Sequence, residues 1–135
     1  MKGKKTDMKK ILVVAAHPDD EILGVGATVA KHAAQGDEVY ALILGEGQTS
    51  RGEHREDIST EVVKELHQNT LESAEKVGYK EVYFADFPDN RFDQIDLLDV
   101  VKAVEHKIKE IQPEIIYTHY SGDLNIDHQY TARAV

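Results

Sequence analysis

Cysteine is absent from the 135 residues, which excludes disulfides and thiolate metal sites. Any metal must therefore be held through nitrogen and oxygen, for which seven histidines are at hand. Positive charge is scarce: 16 Lys and Arg stand against 25 Asp and Glu, a formal net charge of −9. Nucleic-acid binding needs clustered Lys and Arg, so no nucleic-acid partner is expected. No apolar run approaches the roughly 20 residues of a membrane span. The Lys-rich start, Lys2–Lys10, leads only into the short run Ile11–Ala16 and then into charge, which is not a signal-peptide pattern. Residues 1–8 read as a solvated, mobile lead, and the missing export signal and cysteines point to the cytoplasm.

What is present suits one soluble domain, 9–135. Apolar residues make up 41% and charged residues 30%. A chain of this length buries about two-thirds of its unfolded surface, enough for a core. Lys10–Ala15 is apolar without alternation, as in a parallel strand covered on both faces. Glu21–Gln35 follows with helical spacing through Ile22, Val25, Val29, Ala30 and Ala33, and Gly36 stops it. Val39–Leu44 is a second strand. Residues 45–57 form a long polar loop, of a kind that often sets specificity. A helix over about 58–77, a strand at Glu81–Ala85 and a turn-rich stretch at Asp86–Asp93 come next, with Asp93 as a helix cap. The clearest helical pattern runs through Ile95, Leu98, Val101, Val104, Ile108 and Ile111, and Pro113 ends it. Glu114–Thr118 is a fourth strand and 128–135 opens a fourth helix. Strand and helix alternating four times predict a doubly wound, Rossmann-like three-layer α/β/α sandwich with a mainly parallel sheet. Such sheets usually continue, so the chain reads as the N-terminal part of a longer protein, truncated after its fourth strand.

Polar residues gather at two strand ends. His17, Asp19, Asp20 and Glu21 follow strand 1; His119, Asp123, Asp127 and His128 follow strand 4. In strand order 3-2-1-4 these ends are neighbours at the point where ligands bind. Acids near a helix start are also explained by the helix dipole, with Pro18 in the first turn. The opposed second cluster favours a metal instead. His17 and Asp20, three apart across a turn, can face one ion, and His128 closes a three-ligand set with open positions. That set suits zinc, and also iron(II). Asp19 stays free, placed as a general base for water beside the metal. His32, His54, His67 and His106 fall at no strand's carboxyl end and read as solvated or packed. Asp123 reads as an orienting carboxylate. Gly24-x-Gly26 lies inside a helix and is not a dinucleotide fingerprint.

Ala16-His17-Pro18-Asp19-Asp20-Glu21, with Asp127-His128 about a hundred residues later, resembles the PIG-L/LmbE-like family of zinc-dependent N-deacetylases. Leu44-Gly45-Glu46-Gly47, Val77-Gly78, Phe87-Pro88-Asp89-Asn90-Arg91 and Thr118-His119 resemble it too. The resemblance implies removal of an N-acetyl group from an N-acetylglucosamine-type sugar or conjugate. It implies zinc on His17, Asp20 and His128, Asp19 as base, and Asp127 in the catalytic pair. Glu46, Asp89 and Arg91 match positions near the sugar. Many relatives have a histidine at the position of Asn125, which could donate to an oxyanion but cannot shuttle a proton. His119 is then the substitute acid, unless Asp19 returns the proton. An arginine of relatives is missing near His67, which bears on the substrate. A homo-oligomer is compatible with all of this. Two alternatives stand beside it: a metal-binding but inactive fragment, and a phosphoacceptor receiver-like domain using Asp86 and Thr118.

Overall fold

The computed structural model describes residues 8–47 and 60–135. The lead up to residue 7, most of the 45–57 loop and His54 lie outside the described residues. The elements are β1 (Lys10–Ala15), α1 (Asp20–Leu23), α2 (Gly26–Ala34), β2 (Glu38–Gly45), α3 (Thr60–Val77), β3 (Glu81–Phe87), a 3₁₀ turn (Phe92–Gln94), α4 (Leu97–Ile111), β4 (Ile115–Tyr117) and α5 (Ile126–Ala134). The four strands form one parallel sheet in the order β3-β2-β1-β4. The expected α/β architecture and strand order are therefore present.

Side chains of β1 explain the unbroken apolar run. Leu12 and Val14 point to one face and pack with Leu42, Leu44, Phe92, Val100, Val104 and Ile111. Ile11 and Val13 point to the other and pack with Val29, Val39, Ala41, Ala74 and Tyr79. Both faces are covered, by α4 and α5 on one side and α2 and α3 on the other, so a β1 residue has no solvent side on which to be polar.

Three expectations need correction. The single helix over Glu21–Gln35 is two, broken at Gly24-Val25, where Val25 leaves helical geometry (φ −135°, ψ 12°). A Cβ on Gly24 would sit 2.8 Å from the Asp20 carbonyl oxygen, so the break needs that glycine. Asp93 does not cap α4. It lies in the 3₁₀ turn, and α4 starts after Asp96. The apolar stripe of α4 consequently runs through Leu97, Val100, Val101, Val104, Ile108 and Ile111, while Leu98 is 60% exposed. Gly78 ends α3 as foreseen: its φ of 117° and the hydrogen bonds from Gly78 and Tyr79 N–H to the Ala74 carbonyl form a Schellman-type stop.

Candidate metal centre and active site

The loops after β1, β3 and β4 meet at the carboxyl edge of the sheet. His17 leaves β1 and is 15% exposed at its side chain. Its Nδ1 lies 3.4 Å from Asp20 Oδ2 and 3.3 Å from His128 Nε2, and these last two atoms are 3.2 Å apart. The edges of a tetrahedron with metal–ligand bonds of about 2.0–2.1 Å measure about 3.3–3.4 Å. The donor triangle thus has the size for one small divalent ion, and its nitrogen–oxygen chemistry fits zinc or iron(II).

The far nitrogens of both histidines are held. His17 Nε2 donates to Asp127 Oδ2 at 2.7 Å and lies 3.3 Å from Asp89 Oδ1. His128 Nδ1 donates to Asp123 Oδ2 at 3.0 Å. In metal sites this pattern fixes the tautomer, aiming a lone pair at the ion. Among the described residues two other groups of donors lie close together, His119-Asp123-His128 and His17-Asp89-Asp127. Both are built from these supporting bonds.

Asp127 is fully buried, at the start of α5. Besides His17 it accepts the backbone N–H of Asn90 at 2.6 Å and of Phe92 at 3.0 Å. It is thus a tie between β1, the β3–α4 loop and α5, and its contact with the donor triangle is through His17. Asp89, expected beside a sugar, is buried and turned to the same nitrogen. Asn125 caps α5, its Oδ1 accepting from the N–H of Asp127 and His128, and its Nδ2 donates to Asn90 Oδ1 at 3.2 Å. His119 stacks on His128 with centroids 3.9 Å apart, and its Nε2 accepts the Ala16 N–H at 2.9 Å. Burial, then the neighbouring His128, lowers its pKa, so His119 is neutral and its Nε2 is an acceptor. Glu46 is buried at the end of β2, and Arg91 is half-buried where the 3₁₀ turn begins.

Asp19 differs from its neighbours. It is exposed, outside the donor triangle, and precedes α1 with φ 107° and ψ −29°. A left-handed conformation costs a non-glycine residue about 1–2 kcal/mol. Burial, then repulsion from Asp20, raises the Asp19 pKa. Asp20 is lowered although burial opposes it, because His17, His128 and His119 surround it. The triangle opens on a cavity of about 320 Å³ lined by Leu23, Gly24, Thr118 and Asp123. Asp19 lines a second, of about 370 Å³, with Pro18, Leu66, Asn69 and Ser73. The remaining described histidines match the sequence reading. His32 bonds Asp37 and Tyr117, His67 stacks on Phe84 beside Asp86, and His106 is 78% exposed.

The triangle makes metal uptake a proton-release reaction. Burial by itself would lower the His17 pKa, but hydrogen bonds and charges from Asp127 and Asp20 outweigh it and hold it up at about 10. Without metal, protonated His17 stabilises the fold fully below its ordinary value of 6.5, and that contribution fades as pH rises towards about 10. A metal needs the Nδ1 lone pair, so loading is expected to release about one proton per ion near pH 7.5 and to tighten about tenfold per pH unit. Calorimetric titration in buffers of different ionisation enthalpy measures this; metal binding without proton release would contradict the proposed ligation.

A doubly wound α/β domain with two histidines and one carboxylate at its switch point has the donor set that an open, three-ligand metal centre requires. This chain belongs to the family described as PIG-L, GlcNAc-PI de-N-acetylase, whose model matches residues 12–135. It is 30% identical over 125 residues to uncharacterized deacetylase YaiS of Escherichia coli K12, covering 89% of this chain and 62% of YaiS. It is 31% identical over 111 residues to the diacetylchitobiose deacetylase of Thermococcus kodakarensis, covering 82% and 40% of the two chains. The solved structure of GalB, the 4-carboxy-2-hydroxymuconate hydratase of Pseudomonas putida KT2440, matches with a TM-score of 0.77 at 26% identity, covering 94% and 54%. The chain therefore spans about 40–62% of the length of these relatives. The family match replaces the receiver-like alternative. No helix among the described residues is long and apolar enough to cross a membrane.

Proposed function

We propose that this chain supplies the metal centre and general base of a hydrolase that removes the N-acetyl group from an N-acetylglucosamine-type sugar or conjugate. The observation that carries this reading is the split between adjacent acids: Asp20 stands in the donor triangle, and Asp19 stands outside it, exposed and lining a cavity. A divalent ion on His17, Asp20 and His128, zinc first and iron(II) second, would polarise the amide carbonyl and make water more acidic.

The protein's own groups do the rest. Asp19 accepts a proton from the attacking water and returns it to the nitrogen as the amide C–N bond breaks, leaving acetate and a free amine. His119 is the other acid to consider, but its Nε2 is engaged with the Ala16 N–H. Asp127 and Asp123 keep both ligating imidazoles in the required tautomer. The bond to Asn90 takes one of the two Asn125 amide hydrogens, and the other is assigned to the oxyanion. Glu46 and Arg91 are assigned to the sugar, with Asp89 reaching it only at the edge of its bond to His17.

The likeness to GalB favours a second reading, in which the same base adds water across the double bond of an unsaturated acid. One experiment separates them. The chain is loaded with zinc or iron(II) and given N-acetylglucosamine conjugates, with acetate and amine both measured, and a conjugated dienoic acid, followed by loss of absorbance. Acetate release that a chelator abolishes and metal restores is the expected result. Hydration without acetate release would shift the assignment to the second reading. Metal uptake with neither reaction would identify an inactive fragment.

A further inference from the structure

We infer that Glu21 positions the general base: its buried carboxylate holds the Asp19 backbone in its left-handed turn, so that the Asp19 side chain stays free for the substrate. The inference rests on Asp19 being the base. Glu21 is 1% exposed, although it is an acid and adjoins an exposed turn. Its Oε2 accepts the Asp19 N–H at 2.8 Å. Its main-chain oxygen accepts the hydroxyl of buried Tyr79 at 2.5 Å. A chain of contacts thus runs from the end of α3 to the backbone of Asp19.

The capping arrangement gives this chain a purpose. The residue preceding a helix ordinarily spends its side chain on the first free N–H groups. Asp19 holds that position but makes no side-chain cap bond. Glu21 instead reaches backwards to the N–H of the cap residue, from one position nearer than the acid of a capping box, and no reciprocal bond from Asp19 accompanies it. An Asp19 carboxylate turned inward to cap α1 would be withdrawn from the cavity. Asp19 has φ 107°, and the Glu21 bond to its N–H favours that geometry over relaxed alternatives.

The test is a double-mutant cycle on metal-loaded protein with an N-acetylglucosamine conjugate, using Glu21→Ala, Asp19→Asn and the pair. Misplacing a catalytic group is expected to lower kcat about 10–100-fold in Glu21→Ala, with KM and metal content within about twofold of wild type. In the Asp19→Asn background the same change is expected to alter the residual rate less than about twofold. Glu21→Gln keeps an oxygen acceptor and is expected to recover most of kcat. Hydrogen exchange gives a readout that needs no activity: the Asp19 amide is expected to lose protection in Glu21→Ala. If that protein does not fold, Tyr79→Phe weakens the same chain of contacts and is expected to give a smaller kcat loss that also vanishes with Asp19→Asn. Additive losses, or unchanged protection of the Asp19 amide, would overturn the inference and leave the deacetylase reading intact. Full activity in Asp19→Asn alone would overturn both.

Discussion

Asp19→Asn is expected to bind metal as the wild type does and to lose about 10²–10⁴ in kcat, the range for removal of a general base. Asparagine is the appropriate replacement, because it matches aspartate in size and is among the few residues that tolerate a positive φ. The fold around φ 107° is therefore kept, whereas alanine would add strain to the chemical loss. The metal should stay because no edge of the donor triangle involves Asp19. KM should hardly move, since the missing proton transfer belongs to the transition state. Asp20→Asn is the contrasting variant: it alters a corner of the triangle and should lose metal. Metal analysis and initial rates of acetate release on the same samples decide the matter. Undiminished kcat in Asp19→Asn would remove Asp19 from the mechanism, and loss of metal would make it a ligand.

The parts of this molecule that the sequence revealed are those determined by local pattern and chain topology. The unalternating apolar residues of β1 announced burial on both faces, and two core clusters bear that out. Strand–helix alternation implied the order β3-β2-β1-β4, which brings the His17 and His128 loops together. What escaped depends on side-chain reach. The break between α1 and α2 had a visible signal in Gly24-x-Gly26, which was considered only as a nucleotide motif. The acid set of the β1 loop and the division between Asp19 and Asp20 could be read from spacing, but the part of Glu21 could not. Asp19 and Glu21 differ by exposure against burial, and nothing in the letters distinguishes two acids two residues apart. Tyr79 lies between a helix stop and a strand, with nothing to mark a distant partner, yet its hydroxyl ties the end of α3 to the loop. The sugar-side assignments of Asp89 and Asn125 came from resemblance. Asp89 turns to His17 and Asn125 reaches Asn90, contacts between segments 35 or more residues apart, whereas the Asn125 cap of α5 is local.

Replacing Asp127 should be the most damaging single change, because its two oxygens accept three hydrogen bonds with no access to water. In Asp127→Ala the N–H groups of Asn90 and Phe92 lose this acceptor, and Nε2–H of His17 is left with only the longer contact to Asp89. A buried donor left unpaired costs about 1–3 kcal/mol, so a loss of about 3–5 kcal/mol is expected. That is a large share of the 5–15 kcal/mol typical of a whole domain. Asp127→Asn separates folding from ligation. With its oxygen towards Asn90 and His17, its amide faces the Phe92 N–H, donor against donor. Turned over, the amide faces the Asn90 N–H, again donor against donor, and also His17, which must then carry its proton on Nδ1, the nitrogen the metal needs. Either orientation loses something: the first stability, the second stability and also metal affinity, by about 10–100-fold as for other supporting carboxylates. Urea unfolding of the metal-free proteins measures the first quantity, and competition with a chromogenic chelator measures the second. Wild-type stability in Asp127→Ala would mean that water or another group reaches these donors. Wild-type metal affinity in Asp127→Asn, with stability also unchanged, would mean that His17 orientation does not depend on this carboxylate.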